Sequence, residues 1–271
     1  SFFFCIKKNI SIVHIRGFTV KVIFIIIFSK LFNKKIIYSP TRYLEDDIHT
    51  LKKNFFYFFL IKKIDLLLCI SPIFFSGKNF FVKNFFNYQY LPNFVNTKIF
   101  KPKIKQNSSK LTILFVGFFS KTKNPLLLYK AWKSLNNKNI NLVFIGRKKF
   151  DYYLSDINVF NLIFNDAKKN NLLRYITFIN QTNKVHYYMK KSDIFVLPSR
   201  TEGMPNSLLE AMSSGLISVV LKISNLYSDI IVNKKNGFIL KKNSIEELTN
   251  ALKKIISSQA LRKKISSEAR Q

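Results

Sequence analysis

Short apolar runs alternate with longer segments of mixed polarity along most of this chain. The runs are rich in β-branched and aromatic residues and end at Gly, Pro, Asn or Ser, which predicts buried strands, whereas the longer segments have helical spacing. The predicted strands are Ile10–Ile15, Lys35–Tyr38, Asp65–Ile70, Tyr88–Leu91, Leu111–Val116, Ile140–Ile145, Ile176–Ile179, Ile194–Leu197 and Leu216–Leu221. The predicted helices are Phe18–Phe32, Tyr43–Lys62, Pro72–Asn84, Pro125–Leu135, Phe160–Leu173, Asn183–Lys191, Leu226–Val232 and Gln259–Arg270. This alternation predicts an α/β protein with doubly wound parallel sheets.

The alternation is interrupted in the stretch Leu91–Pro102. This stretch carries two prolines and leads into a polar run, residues 103–110, which is typical of a connection between domains. We therefore predict two domains, residues 1–97 and 111–271, joined by a linker over residues 98–110. A chain of 271 residues with 48% hydrophobic content is long enough to give each domain a core.

The chain is strongly basic, with 45 Lys and Arg residues against 14 Asp and Glu residues and a formal charge of +31. The lysines are spread along the whole sequence and accompany many Asn, Ile and Phe residues, as the codon bias of an AT-rich gene would produce. We therefore expect no nucleic-acid partner, although a basic nucleic-acid-binding protein is one alternative. The remaining charge favours a peripheral contact with an anionic membrane, where each basic residue near the surface contributes about 1 kcal/mol.

Cysteine and histidine spacing indicates neither a disulfide framework nor a metal site. Cys5 and Cys69 are isolated, and the three histidines have no ligand spacing. No apolar stretch reaches the roughly 18 residues that span a bilayer, and Val22–Phe28, between two lysines, is predicted to be a buried helix. No secretory signal pattern is present, so a cytoplasmic location is expected. Because the chain begins at Ser1 inside an apolar segment, we expect a fragment.

One stretch, Ser192–Val220, has the arrangement strand, loop, helix, strand. Pro198 and Ser199 end the first strand, and Pro205 is predicted at the first helical position. The loop and the helix start lie at the carboxyl end of a strand, where open α/β sheets bind ligands. A helix N-terminus offers N–H groups and a partial positive charge, so this position suits a phosphate or a diphosphate.

Two carboxylates bracket this expected anion site. Glu202 comes just before the helix, and Glu210 follows about one turn inside it. A carboxylate would repel a diphosphate, so we expect both to bind hydroxyl groups. A ligand with sugar hydroxyls on both sides of a diphosphate is a nucleotide sugar.

The pair forms an E-x7-E pattern within PSRTEGMPNSLLEAMSSG, which resembles the signature of the group 1 (family 4) glycosyltransferases of the GT-B fold. The resemblance implies that Glu202 contacts the donor sugar and acts in catalysis, and that Glu210 holds the ribose hydroxyls. It also implies that the backbone between them binds the diphosphate, through the amides of Gly203, Met204, Asn206 and Ser207.

The segment GFFSKTK, from Gly117 to Lys123, resembles the family's G-R-x-S-x-x-K turn, whose Arg and Lys neutralise the leaving diphosphate. Lys123 stands at the lysine position, and the resemblance gives it a catalytic role. Phe118 stands at the arginine position. Lys121 or Arg200 is expected to take the place of that arginine.

On the acceptor side, IVHIRG occupies the place of the family's H-x-H pair, with His14 at the first position and Arg16 at the second. Arg16 cannot act as a base near neutral pH, so its expected use is to bind an anionic group. The same use is expected for Arg42. His14 is equally compatible with a structural role. No D-x-D arrangement occurs among Glu45, Asp46 and Asp47, so no metal is expected.

The resemblance implies two Rossmann-like domains facing across a cleft, with the N-terminal one incomplete. It implies a retaining, metal-independent transferase that needs no cofactor and uses a nucleotide diphosphate sugar as co-substrate. The expected acceptor is a saccharide or a lipid-linked molecule, in cell-envelope polysaccharide or lipopolysaccharide synthesis. A non-catalytic remnant stays an alternative. A related epimerase or phosphorylase would need acid and base residues or a pyridoxal-phosphate lysine that we do not find.

Overall fold

The computed structural model of the chain describes residues 10–76, 82–102, 110–147 and 156–270. The chain divides into two compact units. The first unit comprises the residues before Phe94 together with two short stretches of the later chain, Thr201–Met204 and Ser224–Leu226, and the second comprises the rest. The predicted linker, 98–110, includes residues 103–109, which lie outside the described residues, so its limits stay a prediction.

The described part of the first unit contains a four-stranded parallel sheet with the strand order β1-β2-β3-β4. The strands are β1 (Ile12–Arg16), β2 (Lys35–Ser39), β3 (Leu66–Cys69) and β4 (Tyr88–Tyr90). Each was predicted, with ends displaced by one or two residues, which is the usual uncertainty of element boundaries. Alternate residues of β2 and β3 are fully buried, so the sheet supplies the centre of this unit's core.

Helix α1 (Val20–Leu31) follows β1 and buries Val22, Ile26 and Ser29. The sequence predicted a buried helix for Val22–Phe28, and this prediction is wrong for the outer face, where Phe24 and Ile27 are exposed. A helix that packs beside a sheet buries only the face that is turned towards the sheet.

The single predicted helix Tyr43–Lys62 is wrong over its first five residues, and the remainder is divided. The structure has a turn followed by two short helices, α2 (Ile48–Leu51) and α3 (Phe55–Ile61). Asp47 caps α2 by accepting the amide of Thr50, and Asn54 caps α3 by accepting the amide of Tyr57. Short polar side chains that bond nearby amides compete with helical pairing, so these residues divide the segment although its apolar pattern is continuous.

The predicted helix Pro72–Asn84 falls partly on residues 77–81, which lie outside the described residues. Its beginning is a short 3-10 helix, Pro72–Phe74, and its end is α4 (Val82–Phe85). The prediction is therefore wrong at its start, where only one tight turn forms.

The described part of the second unit contains a six-stranded parallel sheet with the strand order β10-β9-β8-β5-β6-β7. The strands are β5 (Leu111–Val116), β6 (Ile140–Ile145), β7 (Ile176–Ile179), β8 (Ile194–Leu197), β9 (Ile217–Leu221) and β10 (Phe238–Leu240). β5, β6, β7 and β8 have the predicted bounds. Each is an apolar run closed by Gly, Pro or a polar residue, which is the strongest strand signal that a sequence offers.

Helices cover the second sheet and complete its core. They are α5 (Pro125–Ser134), α6 (Ile157–Lys169), α7 (Val185–Lys191), α8 (Asn206–Ser213), α9 (Ile245–Ser257) and α10 (Gln259–Glu268), with a 3-10 turn at Leu173–Tyr175. α9 packs against α5. Between β5 and β6, the rings of Phe115, Phe119 and Phe144 lie with centroids 5.7 to 6.5 Å apart and fill the interior.

The predicted helix Leu226–Val232 is wrong, because this segment consists of turns. The side chain of Asn236 accepts the amide of Val232 over 2.8 Å and donates to the carbonyl oxygen of Ile230 over 2.9 Å. Backbone groups that a helix would pair internally are thus bonded to a side chain, and β10 follows. No helix among the described residues is long and apolar enough to cross a membrane.

Candidate functional site

Two loops leave the sheet of the second unit at the carboxyl ends of adjacent strands. β5 and β8 pair in parallel, so the turn after β5 and the loop after β8 start at the same edge. The amide of Arg200, on the loop, donates to the carbonyl oxygen of Thr122, on the turn, over 2.9 Å. The structure therefore brings Arg200 beside the segment that carries Lys121 and Lys123.

The turn after β5 is fixed by its own hydrogen bonds. The hydroxyl of Ser120 accepts the amide of Lys123 over 3.2 Å, and the Ser120 carbonyl oxygen accepts the amide of Asn124 over 2.9 Å. Asn124 has φ of 56°, a left-handed conformation that Asn tolerates better than most residues, and it is the N-cap of α5. Lys123 is half-buried, whereas Lys121 is exposed. The structure thus holds Lys123 at a defined place and leaves Lys121 at the surface.

Two glycines at the ends of adjacent strands set the position of this turn. The amide of Gly117 donates to the Ile145 carbonyl oxygen over 2.9 Å. A Cβ on Gly146 would lie 1.8 Å from the carbonyl oxygen of Gly117, so position 146 admits only glycine without a backbone shift. The sequence singled out Gly117 but missed Gly146 as part of the site. The signal was a glycine directly after a predicted strand. Phe118, at the family's arginine position, is half-buried.

Helix α8 follows the loop after β8. The helix begins at Asn206, and Pro205 is its N-cap, with φ of −76° and ψ of 109°. The sequence predicted Pro205 as the first helical residue, which is wrong by one position, since its ψ is extended. Asn206 and Ser207 lie in the first turn of α8, where the helix itself supplies no carbonyl oxygen for the backbone amides. Asn206 and Ser207, two of the residues assigned to anion binding, therefore lie at the start of a helix, where the sequence predicted them to be.

Glu210 lies in the second turn of α8 and is half-buried. Burial raises the pKa of its carboxyl group above the usual range, because removal from water disfavours the charged form. Hydrogen-bond donors brought to the carboxylate by a ligand would offset that cost. Hydroxyl groups of a ligand would therefore stabilise the charged form of the Glu210 carboxylate.

Glu202 lies in the other unit, on the loop Thr201–Met204. Glu202 is only 7% exposed, and its backbone carbonyl oxygen accepts a hydrogen bond from the amide of Tyr43 over 3.2 Å. The Thr201 hydroxyl donates to the Tyr43 carbonyl oxygen over 2.6 Å, so the loop and the turn after β2 are paired at two points. The sequence did not indicate this pairing, because 158 positions separate Tyr43 from Thr201.

Gly203 and Met204 complete the loop. A Cβ on Gly203 would lie 2.0 Å from the carbonyl oxygen of Thr41, so the close approach of two backbones requires glycine here. The side chain of Asn93 donates to the carbonyl oxygen of Met204 over 3.1 Å. Contacts on both sides therefore fix the backbone that carries Glu202, within the first unit.

His14 and Arg16 lie on β1, at its carboxyl half, with both residues exposed. The Nε2 atom of His14 is 2.8 Å from the hydroxyl oxygen of Ser39 on β2. Partial burial, with the nearby Arg16 charge, lowers the pKa of His14, so its neutral form prevails at neutral pH. The structure brings these two residues together on one strand, as their sequence spacing required.

Arg42 lies on the turn after β2, and its guanidinium is 2.7 Å from the Glu45 carboxylate. The buried Asp46 holds this turn by accepting the amides of Thr41 and Arg42 and the hydroxyl of Thr41. Burial raises the pKa of Asp46 although these hydrogen bonds oppose the shift. Asp46 is a structural carboxylate that the sequence assigned to no role.

A metal-binding cluster is not found in the part of the chain that the structure describes, since no three His, Cys, Asp or Glu side chains are grouped there. The buried Cys69 thiol has a pKa raised to about 12 by burial, which makes it unreactive near neutral pH.

Two proteins with similar sequences are described as glycosyltransferases. A protein of Haemophilus influenzae described as an uncharacterized glycosyltransferase is 33% identical over 177 residues, which are 65% of this chain and 47% of that protein. The UDP-Gal:alpha-D-GlcNAc-diphosphoundecaprenol alpha-1,3-galactosyltransferase of Escherichia coli is 31% identical over 184 residues, 63% of this chain and 46% of that protein. The chain spans about half the length of these relatives.

The fold is also that of solved glycosyltransferase structures. HepE of Anabaena, crystallised with UDP and glucose, superposes with a TM-score of 0.76 at 15% identity, over 95% of this chain and 72% of HepE. This similarity confirms the GT-B fold that the sequence predicted. The family model described as glycosyl transferases group 1 matches residues 96–271. The matched residues include Lys123, Arg200 and both carboxylates of the E-x7-E pattern. Because this match covers more than half of the chain, the chain belongs to the group 1 glycosyltransferases.

Proposed function

We propose that this chain binds a nucleotide diphosphate sugar and transfers the sugar to an acceptor hydroxyl with retention of configuration. One observation carries the proposal. Glu202 and Glu210 stand on either side of the N-terminus of α8 along the chain, and the loop before that helix is bonded to the turn that holds Lys123. Hydroxyl-binding carboxylates around an anion-binding helix start, next to a fixed cation, match a nucleotide sugar.

Three sets of protein groups hold the donor. Backbone amides from Gly203 to Ser207, except that of Pro205, bind the diphosphate at the start of α8, where the helix dipole favours negative charge. Glu210 accepts hydrogen bonds from the ribose hydroxyls, which offset the desolvation that raises its pKa. Glu202 orients the donor sugar from the rigid loop Thr201–Met204.

Bond cleavage leaves negative charge on the departing diphosphate. Lys123 stabilises this charge as it develops, with the backbone amides at the helix start, so the reaction requires no metal ion. The acceptor oxygen bonds to the anomeric carbon from the face that the diphosphate leaves, and the bond from that carbon to the phosphate oxygen breaks. The acceptor's proton passes to the departing phosphate oxygen, which accounts for retention without a separate base.

The nucleotide is uridine diphosphate. Two comparisons support this part of the proposal: the relative from Escherichia coli is named for UDP-Gal, and HepE was crystallised with UDP. A hexose is the corresponding sugar. The assignment of the base rests on these relatives, because the residues of the described site do not select among bases.

The acceptor is a saccharide or a lipid-linked saccharide of cell-envelope polysaccharide synthesis. Named relatives support this setting, since one acts on a diphosphoundecaprenol-linked sugar and another is a capsular polysaccharide biosynthesis glycosyltransferase of Staphylococcus aureus. His14, Arg16 and Arg42 supply the acceptor side of the site, with Arg16 as a binder of anionic groups and Arg42 held by the Glu45 carboxylate. The proposed location is the cytoplasm, with peripheral contact at the inner membrane face.

Thermal unfolding of the purified chain with UDP, GDP and ADP tests the donor assignment. A ligand that binds only the folded state raises the melting temperature with its occupancy. UDP is expected to stabilise the chain and the other two nucleotides are not. Glu210→Ala should abolish the UDP response, whereas Glu246→Ala, the same change at an exposed position on α9, should leave it intact.

Cleavage of the donor bond is tested by following release of UDP from UDP-glucose and UDP-galactose. Hydrolysis of the donor by the parent chain and its loss in Lys123→Met would support the chemistry. If no nucleotide changes the melting temperature, the proposal fails in favour of a non-catalytic remnant or, where nucleic acid stabilises the chain with a steep salt dependence, a basic nucleic-acid-binding protein.

A further inference from the structure

Asp46, in the turn that follows β2, is a buried carboxylate with several hydrogen-bond donors around it. Its Oδ1 atom accepts the amide of Thr41 over 2.9 Å and the amide of Arg42 over 2.7 Å, and its Oδ2 atom accepts the Thr41 hydroxyl over 2.6 Å. The backbone carbonyl oxygen of Asp46 accepts the hydroxyl of Tyr38, a fully buried residue of β2, over 2.6 Å. Asp46 therefore ties the turn to the sheet of the first unit.

The same turn contacts the loop that carries Glu202, and both segments belong to the first unit. The Tyr43 amide donates to the Glu202 carbonyl oxygen over 3.2 Å, and the Thr201 hydroxyl donates to the Tyr43 carbonyl oxygen over 2.6 Å. The carbonyl oxygen of Thr41 lies where a Cβ on Gly203 would come within 2.0 Å of it. The backbone of residues 41–43 is thus held by the buried carboxylate and, through other backbone groups, bonded to the loop.

The Glu202 loop has no regular structure of its own. Residues 201–205 form neither helix nor strand, and α8 begins only at Asn206. The backbone of such a segment is placed by its contacts with other segments rather than by a helix or a sheet ladder. A displacement of about 1 Å in a group that orients a substrate can slow a reaction by about a hundredfold. The contacts of the loop with the turn therefore bear directly on the position of the Glu202 carboxylate.

We propose that Asp46 and Thr201 are positioning residues for Glu202, which hold its loop in place through the backbone of residues 41–43. The inference rests on the proposed function, in which Glu202 orients the donor sugar while Glu210 and Lys123 bind the rest of the nucleotide sugar. It adds to that function two side chains that touch no part of the donor. Removing either should impair use of the sugar more than binding of the nucleotide.

Thr201→Val tests the hydroxyl bond to Tyr43 with little change in side-chain shape. For UDP release from UDP-glucose or UDP-galactose, whichever donor the parent cleaves, kcat/KM should fall by about threefold to tenfold, the effect of one lost hydrogen bond. The inhibition constant of UDP in the same assay should stay within about twofold of the parent's. Thr201→Ser keeps a hydroxyl and should restore kcat/KM to within about twofold.

Thr50→Val is the matched control for Thr201→Val. The Thr50 hydroxyl donates to the Asp47 carboxylate over 2.7 Å, in the same unit, but this bond holds the start of α2 and not the Glu202 loop. The control loses an equivalent hydrogen bond, so it should lower stability and leave both constants unchanged. If Thr50→Val lowers kcat/KM as much as Thr201→Val does, the effect is one of general stability and the inference is overturned.

Asp46→Ala removes the acceptor that holds the turn and should have the larger effect. We expect kcat/KM to fall by about tenfold to a hundredfold, with the inhibition constant of UDP changed by less than about threefold. Asp46→Asn keeps one oxygen for the two amides and should lose less. The control is Asp65→Ala, which removes a carboxylate that accepts the Ile36 amide over 2.7 Å at the other end of β2. It should change the two constants by equal factors.

A double-mutant cycle separates positioning from general stabilisation. Glu202→Gln keeps the backbone carbonyl oxygen that accepts the Tyr43 amide and removes the carboxylate that the loop positions. In the Glu202→Gln background, Asp46→Ala and Thr201→Val should each change kcat/KM by less than about twofold. Equal losses in the two backgrounds would show that Asp46 and Thr201 act independently of Glu202, and the inference would be wrong.

Hydrogen exchange provides a readout that requires no donor. The peptide that contains the Tyr43 amide should exchange about tenfold faster in Thr201→Val than in the parent, because the pairing of turn and loop opens more often, and Thr50→Val should leave it unchanged. Unchanged exchange in Thr201→Val would refute the positioning role. If the parent binds UDP and cleaves the donor but the variants lose nothing, only this inference fails. If the parent does neither, the proposed function fails and the inference fails with it.

Discussion

The carbonyl oxygen of Gly117 lies 1.8 Å from the point that a Cβ on Gly146 would occupy. Neither residue can rotate to relieve the conflict, because the atom in the way belongs to the backbone. Any side chain at position 146 must therefore displace the turn that carries Lys123. The turn that carries Lys123 can therefore lie against the end of β6 only because Gly146 has no Cβ.

Gly146→Ala should lower the free energy of unfolding by about 1–3 kcal/mol, the usual cost of overpacking a filled site. Gly117→Ala is the matched control, since its added Cβ would meet the ring tip of Phe115 at 3.1 Å and would require a shift of only a few tenths of an ångström. Urea unfolding of the three proteins checks the prediction. Equal stability losses in both variants would show that the turn yields easily and that Gly146 does not position it.

Lys123→Met should weaken UDP binding by about tenfold to a hundredfold and leave uridine binding unchanged. The reason is that a lysine at this turn contacts the diphosphate only, and a hydrogen bond to a charged group contributes about 1.5–3 kcal/mol. Titration calorimetry with both ligands measures the difference. Lys130→Met on α5 serves as the control, because that side chain is exposed and has no assigned role, and we expect a change below about twofold. Equal losses for UDP and uridine would contradict the assigned role.

Glu210→Gln should stabilise the chain without ligand and weaken its response to UDP. Burial raises the pKa of the carboxyl group in the folded state, so stability is lost as the pH rises through that pKa. The neutral amide avoids this cost at neutral pH, but it cannot accept two ribose hydroxyls as a carboxylate does. The melting temperature without UDP should therefore rise, while affinity for UDP should fall by about tenfold or more.

Thermal unfolding over a pH series checks this prediction. The stability difference between Glu210→Gln and the parent should open as the pH rises from the unfolded pKa of about 4.3 through the raised pKa, stay constant above it, and close below the unfolded value. A melting temperature of Glu210→Gln that lies below the parent's at neutral pH, without ligand, would mean that the carboxylate has a stabilising partner in the fold. The ribose role would then lose its physical basis.

The parallel strands of the second unit were predictable because each one is a compact apolar run. Leu111–Val116, Ile140–Ile145 and Ile194–Leu197 have the bounds that their apolar runs predicted, since a buried parallel strand requires continuous apolar residues. The segment Tyr43–Lys62 was not predictable by the same rule. Its apolar pattern is helical throughout, and only the hydrogen bonds of Asp47 and Asn54 divide it.

The sequence drew attention to the residues that we propose for the candidate site, but it gave no indication of their surroundings. The match of the whole stretch PSRTEGMPNSLLEAMSSG, and not the E-x7-E spacing by itself, drew attention to Glu202 and Glu210. The pairing of the Glu202 loop with Tyr43, and the need for glycine at position 203, depend on backbone contacts over more than 150 positions. No local pattern encodes such contacts.

The Asp166 carboxylate on α6 links two helices of the second unit through its charge. The Lys133 ammonium is 2.7 Å away and the Tyr129 hydroxyl donates to the same oxygen over 2.5 Å. Hydrogen bonds from Lys133 and Tyr129 outweigh the effect of burial and lower the pKa of Asp166. A carboxyl whose pKa is lower in the folded state stabilises the fold above its unfolded pKa of about 3.9, and this contribution disappears as the pH falls through the folded value.

Asp166→Asn should therefore cost about 0.5 kcal/mol at neutral pH, a small value because both partners are more than a third exposed and water screens the pair. The difference should vanish in acid, below the lowered pKa, and shrink in high salt. Asn keeps an oxygen that can accept the Tyr129 hydroxyl, so the substitution removes the charge and preserves the hydrogen bond. A double-mutant cycle with Lys133→Met separates the ion pair from the rest. A coupling energy that persists in acid would show that Lys133 acts on Asp166 through packing, and the electrostatic explanation would be wrong.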